Sequence, residues 1–144
     1  MPDQREPVRQ LPAMTFEQML EKVRYEGAYP TRERAAEAVH LVLSGLGRQL
    51  TGEERVELAA RLPFEAAATL TAQIPAVETL TGWAFVKELA ERAGASPATT
   101  RWDTGAVLAT VATLAGPDLL TRILNQLPTG YALLFGRAEL IQAA

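Results

Sequence analysis

Glu37-Ala38-Val39-His40 sets a carboxylate and an imidazole three positions apart in a stretch whose apolar pattern is helical. Residues at i and i+3 share a helix face. In ferritin-like di-iron proteins such a pair supplies two ligands to the centre, and the motif is used twice with two further carboxylates. This chain has 1 His, and the corresponding stretch of its second half, Thr104 to Val107, carries neither Glu nor His. No metal ligand is therefore assigned. His40 alone could serve as a general base or a pH sensor. No Ser or Cys nucleophile stands beside it in a recognisable frame, so the plainer expectation is a boundary histidine hydrogen-bonded to a neighbour.

Paired carboxylates are the next candidates. Glu17 with Glu21, Glu33 with Glu37 and Glu53 with Glu57 recur at i and i+4. Glycoside chemistry needs two carboxyl groups held across a cleft, whereas each of these pairs lies on one helix with Arg34, Arg55 or Arg61 close by. They read as solvated faces with ion pairs. Trp83, Trp102, Tyr131 and Phe135 could line an apolar ligand pocket, although their helical spacing puts them in the core first. A pocket, where one exists, is expected beside Trp102. Phosphate-cradling and acyl-transfer signatures are missing together, and 0 Cys excludes disulfides, thiolate metal sites and Cys nucleophiles. No catalytic residue and no cofactor is assigned.

The elements that must position these residues are helices. The chain has 144 residues, 48% of them apolar, enough for one ordinary core. With 14 Lys+Arg against 17 Asp+Glu the net charge is −3, and the signs are mixed along both halves, which speaks against a nucleic-acid partner. The polar, Pro-containing start lacks the apolar run of a signal peptide and is expected to be a flexible arm over residues 1–13. The longest uncharged stretch, Thr104 to Pro117, falls short of the ~20 residues of a membrane span. A cytoplasmic protein is expected. The preference for Arg over Lys and the abundance of Ala suggest a GC-rich bacterial genome.

Thr15 with Gln18 announces a helix carrying Phe16, Met19, Leu20 and Val23, with Gly27 as its C-cap. A second helix should run from Pro30 or Thr31 to about Leu46, with Gly45 and Gly47 weakening its end. Thr51 with Glu54 predicts a capped third helix, and Pro63 should open a fourth to about Ala72. After a connector at 74–79 the pattern recurs. Trp83, Val86, Ala90 and Gly94 follow Phe16, Met19, Val23 and Gly27 by 67 positions, and Leu127-Pro128 follows Leu62-Pro63 by 65. In that register Trp102 takes the place of Ala35. Helices are expected from Pro97 to about Leu114, from Pro117, and from Tyr131 to about Gln142. The small residues Gly105, Ala106, Ala109 and Ala112 should let the sixth helix approach a neighbour closely. The fold class is all-α: one domain over 14–144, a bundle of about eight helices built from two four-helix repeats (14–73 and 80–142) sharing one core.

Three stretches carry a family likeness: Phe16 to Val23 with its echo at Trp83 to Ala90, Ala35 to Leu46 followed by Glu57 to Pro63, and the closing L-P-T-G-Y-A-L-L-F from Leu127 to Phe135. From about Met14 to Leu140 the chain resembles the bacterial domain of unknown function family numbered twenty-two sixty-seven. The resemblance implies an all-helical, two-copy domain in a soluble bacterial protein, and it supplies no activity, substrate or catalytic residue. Gly130 and Ala132 stand where the family pattern would carry an acidic or bulkier residue and an Arg. The expected role is a non-enzymatic module that binds another protein or a second copy of itself. The alternative is a carrier or sensor of a small apolar molecule or lipid, with its pocket between the repeats near Trp102.

Overall fold

A computed structural model describes residues 12–137 of the chain. The arm expected over 1–13 and the end of the last expected helix fall largely outside the described residues. Among the described residues there are seven helices and no strand.

Helix starts follow the capping residues. In α1 (Phe16–Gly27) Thr15 Oγ1 accepts from the Gln18 N–H at 3.1 Å while Gln18 Oε1 accepts from the Thr15 N–H at 3.0 Å, a complete capping box. Thr31 caps α2 (Arg32–Gly47), Thr81 caps α5 (Gly82–Ala93), and Ser96 caps α6 (Pro97–Gln126), whose Pro97 occupies the first turn. Between them, α3 (Gly52–Arg61) and α4 (Phe64–Thr71) are separated by Leu62-Pro63. The capping box expected at Thr51 and Glu54 is absent, because the Thr51 side chain makes no capping bond. A distant residue does the work instead: Gln126 Oε1 accepts from the Thr51 N–H at 2.7 Å, and Gln126 Nε2 donates to the Thr51 carbonyl and to Glu54 Oε1.

The helix count is seven rather than about eight because the elements expected from Pro97 and from Pro117 form one element, α6. It is interrupted at Gly116, whose φ of 82° and ψ of 162° are not helical. The short α7 (Tyr131–Leu134) ends where Gly136 takes a φ of 85°, well before Gln142. The C-cap of α1 is also displaced. Ala28, not Gly27, adopts the left-handed conformation, at φ 54°. Gly27 is the last helical residue, and its missing Cβ leaves room for the ring of Tyr29. The N-caps Thr15 and Thr81, and the left-handed residues Ala28 and Gly94, lie 66 positions apart, and Thr31 and Ser96 lie 65 apart, against the 67 expected from the sequence pattern.

One apolar cluster draws on all seven helices, from Met19 and Leu43 through Leu58, Leu70, Phe85 and Leu108 to Tyr131. Burying each large side chain contributes roughly 1.5–3 kcal/mol. Helix α6 packs on α1, α2, α3, α5 and α7. By length and composition α6 is apolar enough to cross a membrane, beyond what its uncharged stretch alone suggested. Half of its most apolar window is buried in the protein. The close approach expected at Gly105 does not occur, since only the Arg101 side chain comes near it. It occurs at Gly45, where a Cβ would meet Leu89 at 2.7 Å and Phe85 at 3.1 Å.

Two arginines on α3 complete the helix ends. Arg55 donates to the carbonyls of Gly47 and Leu50 at the end of α2, and to those of Leu70, Thr71 and Gln73 at the end of α4. Arg61 donates to the Ala115 carbonyl where α6 breaks. Carbonyls in the last turn of a helix have no partner within it. Replacing Arg55 by Ala strips five acceptors at once. The expected loss is about 2–4 kcal/mol, read as a lower urea midpoint at unchanged m-value.

Candidate functional site

His40 is exposed, with its Nδ1 3.1 Å from Thr69 Oγ1 and its ring 6.4 Å from that of Phe16. Glu37 is turned to solvent, 4.0 Å from Arg34. Among the described residues no three His, Cys, Asp or Glu side chains converge as a metal site would require. Several of the paired carboxylates do join ion pairs. Glu21 meets Arg24 and Arg32, while Arg122 grips Glu57 with both nitrogens, at 2.5 and 3.1 Å. The Arg122 guanidinium holds the Glu57 carboxyl below its ordinary range.

The four aromatic residues do not form one group. Tyr131 and Phe135 are buried; the Tyr131 ring lies 5.3 Å from that of Phe85, and its Oη donates to the Leu80 carbonyl at 2.9 Å. Trp83 and Trp102 are 67% and 58% exposed. Their expected place in the core is thus wrong: the buried positions of α5 are Gly82, Phe85, Val86, Leu89 and Ala90, a face that leaves Trp83 outside.

Each exposed Trp borders a concavity. Trp83 walls a groove of about 390 Å³ with Val86, Pro97, Ala98 and Leu133, and Arg101 is its only charged lining residue. Leu133 is itself 57% exposed. The floor is fixed by a backbone contact between Gly82 and Gly130. A Cβ on Gly82 would lie 2.6 Å from the Gly130 carbonyl carbon, and Gly130 has a φ of 101°. Gly130 therefore holds a backbone conformation that favours glycine, and a Cβ there would press on Gly82 at 3.1 Å. Trp102 borders a shallower concavity of about 420 Å³ with Tyr29, Pro30, Ala98 and Thr99, and its Nε1 donates to the Gly27 carbonyl at 2.8 Å. Ala98 lines both concavities, so the two adjoin there. A third concavity, about 560 Å³, lies at the N-termini of α1 and α4 beside Phe16 and Phe64; its charged lining residues are Glu17 and Glu65.

Next to Trp102 is a polar cluster that the sequence did not announce. Asp103, almost buried, accepts from Tyr29 Oη at 2.5 Å and from Arg34 Nη2 at 2.9 Å. Arg34 also lies over the Tyr29 ring at 5.0 Å. Burial first, and then the hydrogen bond to Asp103 and its charge, hold the Tyr29 phenol well above its ordinary value. Burial does the same to Tyr131, with the charge of Glu88 adding to it. Asp103, Tyr29, Phe64, Arg101 and Leu133 were missed as site residues.

What these features define is a small all-helical protein with exposed apolar grooves. The chain matches, over residues 16–134, the family described as an uncharacterized conserved protein, DUF2267. It belongs to that family. No curated protein matches it.

The two buried phenols set an alkaline limit. Their folded values lie above the unfolded value of 10.0, so their contribution is complete below that pH and is lost as pH rises past it. Unfolding free energy should fall by up to about 1.4 kcal/mol per pH unit for each of them above roughly pH 10. Urea titrations followed by phenolate absorbance will show it, and Tyr29→Phe should flatten the decline.

Proposed function

We propose that the protein is a non-enzymatic docking module, built from two copies of one helical unit (residues 14–73 and from 80 onward) fused through a common core. The copy relation is supported by the buried pairs that the corrected spacing aligns: Met19 with Phe85, Leu20 with Val86, Val42 with Val107, Leu58 with Ile123 and Leu62 with Leu127. The docking reading rests on one observation, the Trp83 groove. Two large apolar side chains, Trp83 and Leu133, stand more than half exposed around a concavity lined otherwise by Gly, Pro, Ala, Val and the buried Leu134, with one cation, Arg101, among the described residues. Contiguous exposed apolar surface of this kind marks interaction sites, and aromatic residues with Arg are the usual anchors of such sites.

The test is site-directed photo-crosslinking in the host cell, with a photo-reactive phenylalanine analogue replacing Leu133. A discrete protein adduct is expected, and Trp83→Ala should remove it. Absence of any protein adduct would end the docking reading.

A second reading is favoured by the concavity beside Trp102, which could receive a small apolar molecule. Arg34 and Asp103 are engaged with each other there, so recognition would fall to Trp102, Pro30 and Ala98. In a Trp83→Phe background Trp102 is the sole indole. Medium-chain fatty acids or their alcohols should then shift its emission and raise Tm; unchanged emission and Tm across the series would discard this reading.

A further inference from the structure

We propose that the occupant of the Trp83 groove is a second copy of this chain, which presents Phe64 to the groove and the carboxylates of Glu17 and Glu65 to Arg101. The inference rests on the docking reading above and adds the partner.

Its basis is the relation between the groove and the concavity at the N-termini of α1 and α4. Under the cap spacing Glu17 corresponds to Trp83, and Glu65 to Gly130. The two concavities thus occupy matching places in the two halves, yet their chemistry is opposite. One carries Glu17 and Glu65 around a Phe64 that is 81% exposed; the other carries Arg101 around an apolar trough. Neither Glu17, Glu65 nor Arg101 is ion-paired among the described residues. An exposed ring with two acids beside it and an apolar trough with one base at its edge are complementary in sign, and the ring is an apolar side chain that the trough can receive.

Phe64 is also pre-positioned. It is the first residue of α4, directly after the buried Leu62 and Pro63, so little backbone freedom is lost when its ring is seated. The two surfaces differ, so the contact is head-to-tail: each molecule offers one knob and one trough, and association propagates as a ring or an open chain rather than closing as a symmetric pair.

Sedimentation of the full chain over a range of concentrations at low salt tests this. Expected is an average mass that rises above the 15.6 kDa of one chain and falls back when salt is added. Phe64→Ala, Arg101→Glu, and the double change Glu17→Arg with Glu65→Arg should each weaken association at least about tenfold. All four positions are exposed, and unchanged helical circular dichroism will verify folding. Mixing the Arg101→Glu chain with the Glu17→Arg, Glu65→Arg chain should restore assembly, since each then offers the charge the other lacks. A mass of one chain at all concentrations overturns the proposal, as does assembly that survives both charge reversals or fails to return on mixing. If the chain stays single while Leu133 crosslinks to a different protein, the docking reading stands and the self-partner is lost. If no protein adduct forms at all, both fall.

Discussion

Three helix ends in this protein are finished by side chains of one short helix. The carbonyls that close α2 and α4 converge on Arg55, and the carbonyl at the break in α6 meets Arg61. Buried carbonyls without partners are costly, and a guanidinium, with five donors in a fixed fork, can serve several of them at once. Helix α3 buries only one of its own residues, Leu58, so its hold on the fold is largely polar. Its other side is tied to the last stretch of α6 by the Arg122–Glu57 pair and the Gln126 clamp on Thr51. The apolar core supplies the bulk of the stability, but α3 decides where three rods stop relative to one another.

A second set of polar contacts fixes the seam around the connector and the α1–α2 turn. Asp103 on α6 receives Tyr29 and Arg34 from the first half of the chain. Gln49 Oε1 accepts from the Leu80 N–H at 2.7 Å, and the Leu80 carbonyl accepts from the Tyr131 hydroxyl. These bonds span between 31 and 74 positions of sequence. Pairs of this kind, shielded from water, specify one arrangement of packed helices more than they raise total stability. They also hold rigid the walls along which Trp83, Ala98 and Trp102 are displayed, and rigid walls are what a binding groove requires.

Helix starts were legible because they are local: Thr15, Thr31 and Ser96 lie next to the turns they cap. Helix ends and exposure were less so. Aligning Gly27 with Gly94 looked natural, since both close a helix and precede a Pro by three residues. The two glycines do different jobs, however. Gly94 takes a positive φ, whereas Gly27 leaves room for the Tyr29 ring. A spacing taken from that pair sets Trp83 beside the half-buried Phe16, whereas the spacing of the two threonine caps, Thr15 and Thr81, sets it beside Glu17, which is exposed as Trp83 is. The work of Arg55 and Arg61 was illegible for a different reason, because their acceptors lie on other helices and only docking brings them near. Gly130 reads as a departure from a family motif, and the structure gives it a positive φ in close contact with Gly82.

The position of α6 in the chain has a consequence for biosynthesis. Four of the helices it packs against, α1, α2, α3 and α5, precede it. During translation, when folding runs from the N-terminus, its docking surface leaves the ribosome before α6 does. The stretch with the composition of a membrane span thus emerges beside a waiting acceptor rather than naked before the insertion machinery. A gene permuted to place α5 and α6 first would reverse that order, and its nascent chain would carry its most insertable segment with only α5 yet made to receive it.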